Sequence, residues 1–172
     1  TTEPQPNLAL VRRRQSELTS DARSVMVLDG LGDPGNVGTL IRSAEAAGLD
    51  AVICTPETAD VLSPKTIRSS AGAVFHVPVL EMSLDDIAEA GFLLVATSSH
   101  RGTPYRSFDW SQNIAVVMGN EAHGVDEGGK ISEWVQIPQR GRSESLNVAM
   151  AGTLIAFALA ESVAGSGETL AR

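Results

Sequence analysis

Three short segments, far apart in the chain, hold residue types that crowd around a bound ligand. They are Asp33-Pro34-Gly35-Asn36-Val37-Gly38 followed by Arg42, then Gly119-Asn120-Glu121-Ala122-His123-Gly124, and last Ile137-Pro138 with Ser145-Leu146-Asn147. Glycine exposes backbone to a ligand, amide and carboxylate side chains hydrogen-bond it, and arginine offers a planar fork that matches phosphate. Each segment directly follows a short apolar run that reads as a strand, and the first and third lead into a helix. All three therefore fall at carboxyl ends of parallel strands, where open α/β sheets bind their ligands.

The elements that must carry these segments can be read from the apolar pattern. Val25–Leu28, Ala51–Cys54, Val77–Leu80, Phe92–Ala96, Ile114–Met118 and Trp134–Ile137 read as strands, the third an edge strand because Pro78 cannot donate to a ladder. Val37–Ala47 reads as a helix ended by Gly48, Ser63–Ser70 as a short helix, Ser83–Ala90 as a helix capped by Ser83, and Ser145–Val163 as the closing helix. Helices alternating with uninterrupted apolar strands predict an α/β domain with a parallel sheet covered on both faces. The expected organisation is a linker or arm over 1–20, one domain over 21–164 and a frayed tail over 165–172.

Composition narrows the function classes. A length of 172 residues suits one domain, and 42% hydrophobic with 20% charged residues is globular composition. The single cysteine, Cys54, allows no internal disulfide, so a reducing, cytoplasmic setting is expected. A net charge of −8 argues against coating nucleic acid non-specifically. Yet 11 of the 13 basic residues are arginine, clustered at Arg12-Arg13-Arg14, Arg101 with Arg106, and Arg140 with Arg142. Local arginine patches on an acidic protein suit a site-directed RNA contact.

Competing motifs fare worse. Gly30-Leu31-Gly32-Asp33-Pro34-Gly35 matches the dinucleotide fingerprint and so raises a nicotinamide-dependent oxidoreductase. Its acidic partner, Asp50, precedes the second strand instead of ending it, and Asp33 puts a carboxylate where a pyrophosphate would lie. No Gly-Lys-Ser/Thr follows to make a phosphate loop, no Gly-x-Ser-x-Gly elbow exists, and His76, His100, His123 and Cys54 lack metal-ligand spacing. His76 reads as a partly buried packing residue, Trp110 and Trp134 as core anchors, and Asp85, Asp86 and Glu89 as the solvated face of a helix.

Taken together, Leu28–Ala44, Met118–Val125 and Ile137–Ala149 resemble the three signature motifs of the SpoU (TrmH-like) RNA ribose 2′-O-methyltransferases of the SPOUT superfamily, and Ser69-Ser70-Ala71-Gly72-Ala73 is also similar to that family. The likeness runs from about Val25 to Val163. It implies a C-terminal trefoil knot, which sequence physics alone would not propose because threaded connections are nearly absent from proteins. It also implies S-adenosylmethionine as cofactor, a homodimer pairing through the second and third motifs, and an RNA substrate, ribosomal or transfer. Carried over by position, Gly119, Ile137 and Leu146 would give the cofactor its backbone contacts, with Thr97 and Met118 lining the pocket.

Arg42 matches the family's catalytic arginine. A guanidinium is a poor base, so its expected work is to stabilise the developing alkoxide and grip the adjacent phosphate. Asn36 would orient Arg42 or the ribose, Glu121 would fix Arg42 or the surrounding loops, and Ser145 and Asn147 would cap the last helix and bond substrate or cofactor. Long-form members carry an N-terminal RNA-recognition domain, and the first twenty residues here look like a linker to one. A domain that binds RNA or dimerises without catalysis is the non-enzyme alternative; every motif position being filled argues against it.

Overall fold

Six apolar runs become strands because β-branched and aliphatic residues fit a surface buried on both faces. The computed structural model describes residues 16–125, 130–143 and 145–165. Most of the expected arm, including Arg12, Arg13 and Arg14, and nearly all of the tail lie outside the described residues, as does Glu144. The strands are β1 (Ser24–Asp29), β2 (Ala51–Cys54), β3 (Val79–Glu81), β4 (Leu93–Ser98), β5 (Thr103–Pro104), β6 (Ile114–Gly119) and β7 (Glu133–Gln136). The helices are α1 (Pro34–Ala47), α2 (Pro64–Ser69), α3 (Leu84–Glu89) and α4 (Val148–Gly165).

All strand pairs are parallel, in the order β3-β2-β1-β6-β4-β7-β5. Alternate strand residues feed two cores, as a side-chain period of two requires. Met26, Leu28, Val52, Val95, Val116 and Met118 pack with Val37, Leu40, Ile41 and Ala44 of α1 and with Ile155 and Leu159 of α4. Val25, Val27, Ile53, Leu94, Ala115 and Val117 pack on the other face with Ile87 of α3. Each such aliphatic side chain contributes about 1.5–3 kcal/mol when fully buried.

Helix ends follow their capping chemistry. Asp33 caps α1, its carboxylate accepting from the Gly35 amide, and Gly48 closes the helix at φ 77°. Ser63 caps α2, and Ser83 with Asp86 forms a capping box on α3. Gly38 lets α2 lie directly on α1, since a Cβ there would stand 2.5 Å from the Thr66 carbonyl oxygen.

Several expectations change. The first helix begins at Pro34, three residues before the expected Val37, with Asp33 as its cap and Asn36 inside its first turn. The closing helix starts at Val148 instead of Ser145, so Asn147 caps it alone, its Oδ1 accepting from the amides of Ala149 and Met150. Ser145 is exposed and stands before the helix, because the asparagine nearest the first turn captures the free amides. The two-residue edge strand β5 was not anticipated, as Thr103-Pro104 carries no apolar signal of its own. His76 is exposed, near Glu45, instead of packed. Trp110 is a core anchor, its indole N–H donating to the Tyr105 carbonyl, but Trp134 is only partly buried.

Candidate active site

The carboxyl ends of β4, β6 and β7 surround a cavity of about 670 Å³, within the range of small-molecule sites. Thr97, Met118, Gly119, Glu121, Ile137, Ser145, Leu146 and Asn147 all line it, so the second and third motifs meet there as the sequence anticipates. Met118 and Ile155 give it an apolar floor, and the Thr97 hydroxyl lies 3.8 Å from the Met118 sulfur.

Asn36 and Arg42 are not in the lining. Asn36 is nonetheless tied to it. The Asn147 carboxamide caps α4 through its oxygen, which leaves its nitrogen to donate to Asn36 Oδ1 at 3.2 Å. Asn36 Nδ2 in turn donates to Glu121 Oε1 at 2.9 Å, and Glu121 Oε2 accepts from the Gly32 amide at 3.3 Å. The chain of bonds links all three motifs in one direction. Burial pushes the Glu121 carboxyl up, but the bonds from Asn36 and nearby backbone amides outweigh it and hold the group below the usual glutamate range. A carboxylate at the amino end of α1 also suits the helix dipole. Arg42 lies on an exposed face of the same helix and, among the described residues, makes no hydrogen bond or ion pair.

Sequence reasoning missed four contributors. Asn120 Nδ2 donates to the Gly30 carbonyl at 2.7 Å while its Oδ1 accepts from the amides of Ala122 and His123, pinning the second motif to the first. The Arg101 guanidinium lies over the Trp134 ring, 3.7 Å from its centroid, and both line the cavity. Gln139, also in the lining, has a buried Oε1 with no hydrogen-bond partner among the described residues. Asn120 sits within a quoted motif and could have been found there; the other three are brought in by β7 and the β4–β5 loop, which no local pattern announces.

The dinucleotide reading fails on geometry. Asp50 accepts from the Arg23 and Ser24 amides and the Ser24 hydroxyl, at the amino end of the sheet, away from the cavity. Asp33 is spent on capping α1 and on an ion pair with Lys65.

The SpoU rRNA Methylase family model matches residues 23–157. The chain belongs to the SpoU family. A curated relative, the 23S rRNA (guanosine(2553)-2′-O)-methyltransferase RlmP of Bacillus subtilis, is 38% identical over 164 residues, covering 92% of this chain and 66% of the relative. Two solved structures are similar. The SpoU methyltransferase AviRb from Streptomyces viridochromogenes in complex with AdoMet aligns with a TM-score of 0.76 and 30% identity, over 84% of this chain and 62% of that one. The AdoMet-bound rRNA methyltransferase from Sinorhizobium meliloti aligns with a TM-score of 0.78 and 34% identity, over 87% and 61%. The chain thus spans somewhat less than two thirds of the length of these SpoU proteins.

Proposed function

We propose that this SpoU protein methylates the 2′-hydroxyl of a ribose in structured RNA, ribosomal or transfer, using S-adenosylmethionine. The observation that carries the reading is the convergence of motif loops on one cavity, joined to the first motif by the bonds from Asn147 through Asn36 to Glu121. Membership of a family whose relatives carry that activity in their names supports it.

The residues present fit the cofactor. The cavity is large enough, combines an apolar floor with backbone at Gly119, Ile137 and Leu146, and keeps a buried acceptor, Gln139 Oε1, that has no donor among the described residues. When bound, S-adenosylmethionine supplies an electrophilic methyl group on a sulfonium. Thr97, Met118, Gly119, Ile137 and Leu146 would hold it. Glu121 and Asn147 orient Asn36, and Asn36 in turn positions the acceptor ribose. Arg42 would stabilise the ribose oxygen as its proton passes to solvent water, and would grip a neighbouring phosphate. Ser145, exposed at the cavity, bonds substrate or cofactor. Fixing donor and acceptor in line supplies several kcal/mol of the barrier lowering.

Two structural features belong to the same proposal. Ile137, Gln139, Ser145, Leu146 and Asn147 share the cavity with residues 97–101 and 118–125, which supports a C-terminal segment threaded as a trefoil knot. Met150, Leu154 and Phe157 are exposed at spacings of four and three, one stripe along α4, and exposed Leu146 stands just before the helix. A second copy covering this stripe would make a homodimer through the third motif. We place the reaction in the cytoplasm, with its RNA; among the described residues no helix is long and apolar enough to cross a membrane.

Calorimetry tests the cofactor directly. The protein should bind S-adenosylmethionine and give no heat with a reduced nicotinamide. Heat with the nicotinamide alone would transfer the reading to an oxidoreductase, and heat with neither would favour a non-catalytic module.

A further inference from the structure

We propose that the turn from Ala71 to His76, with the adjoining flank of α1, is a contact surface for the RNA strand beside the target nucleotide, and that the Phe75 ring stacks on one of its bases. The inference rests on the RNA-methylating function proposed above.

Phe75 is 60% exposed although Ala73 and Val77, on either side, are buried in the core. The turn is thus anchored while its aromatic ring is left to solvent. A lone exposed apolar residue means little, but the backbone beneath this one is unusual. Ala71, at φ 50°, is the one non-glycine residue with positive φ among the described residues, and Gly72 follows at φ 93°. An L-residue held in the left-handed region is strained, and such strain concentrates at ligand contacts.

Charge complements the ring. The chain runs along α1 with Lys65 beside Gly35, Ser69 beside Gly38 and His76 beside Glu45. That register sets Arg42 level with the Ala71–Ala73 turn. Arg42 is exposed without a partner among the described residues, and exposed Arg68 stands three residues before the turn. The acid at this flank, Glu45, lies 3.7 Å from His76 Nδ1. On a protein of net charge −8, an aromatic face beside arginine forks matches a strand of bases and phosphates. Asn36 and Glu45 are nine helical positions apart, about 14 Å, a span that an RNA strand crosses in a few nucleotides.

The test pairs filter binding of unmethylated, in vitro transcribed 23S ribosomal RNA with calorimetry of S-adenosylmethionine on the same preparations. Phe75→Ala should weaken RNA binding about tenfold, as expected for one stacked base, while cofactor affinity stays within about twofold, which also verifies folding. Phe75→Trp should restore binding and Phe75→Leu should not. Arg68→Ala should lower the slope of log affinity against log salt by about one. RNA binding unchanged in Phe75→Ala, full binding by Phe75→Leu, or a change in solution mass on substitution would overturn the inference, the last showing that protein covers the ring. If wild type neither binds nor methylates RNA, the parent function falls as well. If wild type does both and Phe75→Ala matches it, only this surface is refuted.

Discussion

In the proposed reaction Arg42 and Glu121 are set apart by their surroundings. Glu121 is held by Asn36 and the Gly32 amide, which suits the proposed role of keeping loops in register; Arg42 has no partner among the described residues, which suits its proposed contact with an incoming strand. Arg42→Ala should lower kcat at saturating cofactor by about 10²–10³, the loss seen when one stabilising donor is removed, with cofactor affinity unchanged and Arg42→Lys intermediate. Near wild-type turnover in Arg42→Ala would remove it from the chemistry. For Glu121 the sign follows from its lowered carboxyl: the stabilisation from its ionised form is complete above the ordinary glutamate range, about 4.3, and is lost as pH falls through the lower folded value. Urea unfolding across pH should show wild type more stable than Glu121→Gln at pH 7, with the gap closing below about pH 4.

At the scale of elements, the second motif is a closed pinch. Gly119 packs so tightly against the returning chain that a Cβ would stand 2.4 Å from the Val125 amide nitrogen, and Asn120 fastens the pinch to Gly30. Gly119→Ala must therefore spread this turn. The expected result is at least tenfold weaker cofactor binding by calorimetry with the far-ultraviolet circular dichroism of wild type; unaltered binding would separate the pinch from the cofactor. The elements themselves were legible where local chemistry agreed with tertiary placement: apolar runs at β1, β2 and β6, the Gly48 stop, the Ser63 and Ser83 caps. The start of α4 was misplaced by three residues because Ser145 and Asn147 are both competent caps, and only the course of the chain leaving β7 decides between them. The β5 edge and the Arg101–Trp134 stack depend on which strand neighbours β7, a long-range choice with no local signature. Likewise, the motif carrying Asn36 could be recognised in sequence, but not that, among the described residues, Asn36 is tied to the cavity through Glu121 and Asn147.

For the molecule as a whole, the acidic net charge and the open face of α4 frame the account. Met150, 65% exposed in the middle of the stripe, is the place to test assembly. Met150→Asp should shift the protein from dimer to monomer in sedimentation equilibrium, since a carboxylate cannot be buried unpaired at low cost. A wild-type monomer would refute the pairing. The measurement closest to the central claim is transfer of tritiated methyl from S-adenosylmethionine to unmodified ribosomal and transfer RNA, followed by nucleoside analysis. Label should appear in a single 2′-O-methylribonucleoside; label on a base, or none in either RNA, would contradict 2′-O-methylation.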